Sequence, residues 1–222
     1  MSANALLDQL QCVLARIIDV PVLWPVTGFH LADRDHCSRL LGRELGPDED
    51  EQVLLVQGVS GAELSVYVDQ QVLGRLACHD PLQQLSEANL PDLCTAVEGI
   101  SHFQYLVWSL EHQRQVSLLE LELQAEVDKY AVAVFLLRQQ GRSDLSQGLR
   151  RRLFDDVGFV AGLSAESRQR YVEANRHAAR FCEQLERRFL GKRNFRPEGW
   201  LRSLRAFYRC PHHQKLRHAL QP

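Results

Sequence analysis

The chain reads as an α+β protein that is predominantly helical, with a small antiparallel sheet followed by a C-terminal helix bundle. Three observations predict this. Apolar residues recur at intervals of three and four over most of the chain, strict alternation is confined to residues 53–77, and no apolar run reaches the roughly 18 to 20 residues needed to cross a bilayer.

The elements follow in order. Leu6, Leu7, Leu10, Val13, Leu14, Ile17 and Ile18 form one helical stripe over residues 4–18. Pro21 and Pro25 make the next segment extended or turning, a short helix is expected over residues 33–45, and Gly46 to Glu51 reads as an exposed acidic loop. Val53 to Val56 is a short apolar strand, Gly58 to Gly61 a turn, and Leu64, Val66 and Val68 alternate with Glu63, Ser65, Tyr67 and Asp69 as a half-buried strand does. A further turn at Asp69 would return the chain as a strand over residues 72–77. Helices are expected near 92–112, 115–140, 164–190 and 198–208, with a short last one near 212–219. Ser164 has the chemistry of an N-cap for the long third helix, whose stripe is Tyr171, Ala174, Ala178, Phe181 and Leu185. Residues 141–156, with Gly141, Gly148 and the Arg150-Arg151-Arg152 run, read as a loop. The expected organisation is an N-terminal α+β segment over residues 1–80 and a helical bundle with a basic tail over residues 81–222, the two forming one compact unit.

Charge is divided along the chain. Residues 1–137 carry 7 basic and 20 acidic side chains, and residues 138–222 carry 19 basic and 8 acidic ones. Such a split points to RNA, DNA or another polyanion as partner, or to two parts that neutralise each other. The candidate contacts are Arg150, Arg151, Arg152, Arg193, Arg196, Arg202, Arg205 and Arg209, the last five interleaved with aromatics that could stack on unpaired bases. The competing reading places Trp200, Leu204, Phe207 and Tyr208 on one stripe that docks as core.

The helix near 92–112 carries the most suggestive local pattern. Its face opposite the apolar stripe holds Glu98, Ser101, His102, Tyr105, Ser109 and His112 without a lysine or arginine, whereas a solvated face usually carries both. Glu98 and His102 are an i,i+4 pair able to reach one point above the helix. With Glu122 and Glu126 of the next helix they make a candidate centre. Glu98, His102 and Glu126 are its catalytic acid/base candidates, and Glu98, His102, Glu122 and Glu126 its candidate ligands for a divalent metal. Glu173 and His177 repeat the spacing. Ordinary surface and interhelical hydrogen bonding is the competing account of all these pairs.

Other chemistries find less footing. The chain lacks a G-x-S-x-G elbow, a P-loop and a dinucleotide fingerprint, and its six scattered cysteines form no CxxC pair and read as packed reduced thiols. Cys210, His212, His213 and His218, with Cys182, match no standard zinc spacing. The N-terminal segment lacks the basic start of a signal peptide, so a cytoplasmic location with no membrane contact is expected. Three functions follow as expectations: a binding protein for nucleic acid or another polyanion, a metal- or acid/base-dependent enzyme, and an adaptor for a protein partner.

Overall fold

The computed structural model describes residues 2–58, 61–142, 146–155, 164–191 and 194–218. The architecture is α+β and predominantly helical. Helix α1 (Ala3–Ile18) is capped by Ser2, and a 3-10 turn over Val26–Gly28 leads into β1 (His30–Leu31) and α2 (Arg34–Leu41). Strands β2 (Glu51–Gly58) and β3 (Gly61–Val68) pair in antiparallel register, with Val53 opposite Val66 and Glu51 opposite Val68. The sheet is mixed rather than purely antiparallel, because β1 adds to β3 in parallel.

Residues 72–77 are not the strand that their apolar content suggests. They belong to α3 (Gln70–Cys78), where Val72, Leu73 and Leu76 are buried at helical spacing. Asp69, expected to open a turn, is the N-cap: its carboxylate accepts from the Gln71 amide at 2.7 Å. Four longer helices then follow the expected order: α4 (Leu90–Glu111), α5 (Leu118–Gln139), α7 (Ala165–Phe189) and α8 (Pro197–Arg209). Ser164 caps α7 by accepting from the Ser167 amide at 3.1 Å. A two-residue hairpin, β4 (Leu190–Gly191) with β5 (Asn194–Phe195), links α7 to α8, and α9 (His212–His218) comes last.

The expected loop around Arg150 is a helix, α6 (Ser146–Phe154), between α5 and α7. Among its described side chains Leu149 and Phe154 are buried. Two such residues give too weak a stripe to stand out beside three consecutive arginines, although arginine itself favours helix.

One hydrophobic cluster runs from Leu6 in α1 to Tyr208 in α8, and a smaller one of Cys37, Leu54 and Tyr67 lies between the sheet and α2. Helix α4 passes through the middle of the large cluster, in contact with α1, α3, α5 and strands β2 and β3. Most of its polar face is therefore covered too: Ser101, His102, Tyr105 and Ser109 are buried and Glu98 is half-buried, while His112 past the end of the helix is exposed. Gly99 allows the closest approach to the sheet. A Cβ there would stand 3.1 Å from Val66 Cγ1 and Val68 Cγ2 and 3.2 Å from Glu51 Cγ. Alanine improves helix propensity by about 1 kcal/mol, but overpacking of this kind costs about 1–3 kcal/mol. Gly99→Ala is expected to lower the urea midpoint, with the net loss carried by displacement of α4 from β3.

Candidate functional site

Helix α5 carries two sets of polar residues on opposite sides. Glu122, Glu126 and Lys129 share one side and Glu120, Gln124 and Asp128 the other, because steps of three and four residues return to the same face. Each set meets residues of α4 across the α4–α5 contact.

On the first side lies the expected centre. His102 is 4% exposed and stands between two carboxylates, with Nδ1 3.3 Å from Glu51 Oε1 and Nε2 3.6 Å from Glu122 Oε2. The Nδ1 contact is a hydrogen bond. The Nε2 contact is too long to be one, and Nε2 is buried without a hydrogen-bond partner. One donor atom each from Glu98, His102 and Glu122 lie within 4.8 Å of one another. Lys129 Nζ donates to Glu98 Oε2 and to Glu126 Oε1, both at 2.9 Å, and Arg170 of α7 brings Nε to 3.8 Å from Glu122 Oε1.

Electrostatics in this group follow from burial and pairing. Burial alone would make the imidazole harder to protonate, but the charges of Glu51 and Glu122 outweigh it and hold His102 well above its usual range. Burial pushes the Glu51 carboxyl up against the pull of His102, and pushes Glu126 up against the pull of Lys129. Partial burial pushes Glu98 up as well, yet Lys129 and His102 bring it below its ordinary value. Four carboxylates face two fixed cations, Lys129 and Arg170. The remaining negative charge is halved by an imidazolium and would be cancelled by a divalent cation.

Glu98, His102 and Glu122 are thus brought together, while Glu126 joins them only through Lys129. Glu173 and His177 do not reach the centre: Glu173 accepts from Gln169 at 3.1 Å, and the α7 contribution is Arg170 instead. Glu51, Lys129 and Arg170 were missed from sequence. Glu51 sat in a stretch that reads as a solvated acidic loop, and nothing local in the sequence ties it to residue 102.

The arginines expected to meet a polyanion divide into groups. Arg150 pairs with Glu186 at 3.2 Å and Arg152 with Glu87. Arg205 and Arg209 close on the C-terminus of α1: Arg205 donates to the carbonyls of Ile17 and Arg16 at 3.2 Å, and Arg209 to those of Ile18 and Asp19 at 3.0 and 2.6 Å. Those carbonyls lack intrahelical donors and carry the negative end of the helix dipole. Arg151, Arg196 and Arg202 are exposed, and Arg193 lies outside the described residues. Trp200, Leu204, Phe207 and Tyr208 are core, so these three aromatics are not offered for stacking.

At the chain's other cysteine and histidine candidates, Cys210 Sγ donates to the Phe207 carbonyl at 3.2 Å and His212 Nδ1 lies 3.3 Å from Ser117 Oγ. Among the described residues these form no group of three ligands, and the His218 side chain lies outside them. The six cysteines are free thiols, with Cys37, Cys182 and Cys210 buried. No helix among the described residues is long and apolar enough to cross a membrane. Comparison of the chain with protein-family models, with curated proteins and with solved structures finds no match, so the case for its function rests on its own residues.

Proposed function

We propose that the chain is a metal-dependent enzyme that holds one divalent first-row transition-metal ion with Glu98, His102 and Glu122. A single observation carries this reading: His102 Nε2 is buried without a hydrogen-bond partner, beside two carboxylates, while Glu51 holds Nδ1. That is how a metal-ligating histidine is oriented, the outer carboxylate fixing the tautomer and leaving the other nitrogen for the ion. Donor atoms around such an ion stand about 3–3.5 Å apart, given bond lengths of about 2.0–2.2 Å. Small side-chain rotations would close the present separations. Mixed imidazole and carboxylate ligation suits manganese, iron or zinc better than calcium.

Three protein ligands leave positions for water and substrate, as catalytic sites do. Beside them, burial raises Glu126, the direction that favours a carboxylate as general base, and Lys129 supplies a positive charge to an anionic group. The reaction class is metal-assisted hydrolysis.

Titration of metal-free protein with Mn²⁺ and Zn²⁺ by calorimetry should give one site. Glu122→Gln should remove it, Glu51→Gln should weaken it about 10- to 100-fold, and Glu126→Gln should keep the metal while losing hydrolysis of a p-nitrophenyl ester or phosphate. Binding unaffected by Glu122→Gln would defeat the proposal.

A second reading, polyanion binding, keeps one specific support. Arg176, Arg180 and Arg187 of α7, with Arg151 and Arg202, are exposed and have no ion pair among the described residues. Its affinity for RNA should fall steeply with salt.

A further inference from the structure

Where the start of α4 and the end of α5 face α6, the described residues enclose a cavity of about 150 Å³. Leu85, Leu90, Leu137 and Leu149 form its floor and are all buried, while Ser86, Glu87, Gly148 and Arg152 line the rest. An aliphatic cavity of about this size accepts a molecule as large as benzene, about six carbons.

Two features show that the space is built into the fold. The first is a wall held from behind. Gln140 accepts from the Leu85 amide at 2.8 Å and donates to the Pro81 carbonyl at 2.8 Å, and Arg142 donates to the Leu85 carbonyl at 3.1 Å. Asn89 accepts from the Ser86 amide at 2.8 Å and donates to the carbonyls of His79 and Gln84, both at 2.9 Å. Leu85 is thus presented to the cavity on a segment whose backbone groups are bonded elsewhere, the preformed wall that a small-molecule site needs. The second feature is Gly148. Glycine inside a helix weakens it, and here neither a positive φ nor a close neighbour demands one, because a Cβ at Gly148 would meet nothing within 4 Å. Its effect is to keep the cavity open.

The mouth is charged. Arg152 of α6 pairs with Glu87 there, and the two side chains are 46% and 69% exposed, so the carboxylate is the more solvated partner. Arg142 stands behind Leu85, and α4 begins at this wall with an N-cap, Asn89, that makes no side-chain cap bond. Two guanidinium groups and the positive end of a 22-residue helix therefore face one carboxylate.

We propose that this cavity binds a straight-chain aliphatic carboxylate of about six carbons, its chain on the four leucines and its carboxylate on Arg152 in place of Glu87. The exchange costs little, since an exposed ion pair is weak and the ligand brings the same group that Glu87 gives up. An alkylammonium would meet the reverse, with Glu87 alone to pair with and Arg142 and Arg152 against it. The site is independent of the metal reading, because Glu98 and His102 lie about two and three turns further along α4.

The test is titration of the full wild-type chain with sodium hexanoate, followed by amide chemical shifts, with 1-hexanol, hexylammonium and acetate as comparisons. Burial of about five methylene-sized groups sets the dissociation constant on the order of 1 mM, with saturable shifts at residues 85–90, 137 and 148–152. 1-Hexanol should bind more weakly, and hexylammonium and acetate should give no saturable shift there. Glu87→Gln should tighten hexanoate by up to about fivefold, the worth of an exposed ion pair, and leave 1-hexanol unchanged. Arg152→Gln should weaken hexanoate to the level of 1-hexanol, and Gly148→Leu should abolish both while keeping the melting temperature of the wild type. Hexanoate shifts that are absent or map elsewhere overturn the site, and equal affinity for hexanoate and 1-hexanol overturns carboxylate recognition. Dimerisation that Gly148→Leu abolishes, with no response to hexanoate, would give the cavity to a second copy of the chain instead. Should Gly148→Leu fail to fold, the shift map and the Glu87→Gln response decide.

Discussion

His102→Ala is expected to lower the stability of the metal-free chain by about 3–5 kcal/mol, the cost of removing one partner from a buried ionic group. Glu51 and Glu122 would face each other across the vacated volume with no cation between them. The direction with pH is fixed by the raised imidazole. A group more basic in the folded chain than in the unfolded one stabilises fully below its unfolded value, about 6.5. That contribution is lost as pH rises through the higher folded value. The difference between wild type and His102→Ala in urea denaturation should therefore be largest at pH 6 and shrink by pH 9. Metal binding runs the opposite way, since the ion must displace the proton, and affinity should fall about tenfold per pH unit below the histidine's folded value. A difference under about 1 kcal/mol at pH 6 would mean that no buried imidazolium lies between these carboxylates.

Trp200→Ala carries the second large effect, a loss of about 3–5 kcal/mol for a buried aromatic. Trp200 is 1% exposed, and its stripe continues through Phe207, which stacks on Phe181 of α7 at 4.1 Å between ring centroids. Arg202→Ala on the exposed side of the same helix should change stability by no more than about 0.5 kcal/mol. Thermal and urea unfolding of the pair settles how the tail's aromatics are used. If Trp200 served as a base-stacking platform, its loss would weaken RNA binding while leaving the unfolding midpoint in place.

Periodicity made the long helices legible, because stripes such as Ala174, Ala178, Phe181 and Leu185 record a helix packed along one side. It failed where the stripe was short. Val72, Leu73 and Leu76 fit a strand as well as a helix until Asp69 is recognised as a cap, and among the described side chains of α6 Leu149 and Phe154 are buried and Leu153 partly so. For the centre, the absence of lysine and arginine from one face of α4 was the informative signal, since most of that face is buried. It led to Glu98, His102 and Glu122, all within two neighbouring helices. Glu51 and Arg170 each arrive through tertiary contact across about fifty residues, to His102 and Glu122 respectively, and such pairings leave no mark on local spacing. The buried hydrogen bond from Lys215 to Tyr105 was missed for the same reason: the two are 110 residues apart.

The clasp of Arg209 on the end of α1 joins residues 190 positions apart. Closing so long a loop is entropically more demanding than forming the local helix pairs, so this contact is expected to form after them. Until then the apolar side of α1, with Leu6, Leu10, Leu14 and Ile17, lacks part of its cover while the intervening chain is assembled. The arginines that looked from sequence like a surface for an outside ligand serve in the finished fold to finish another helix.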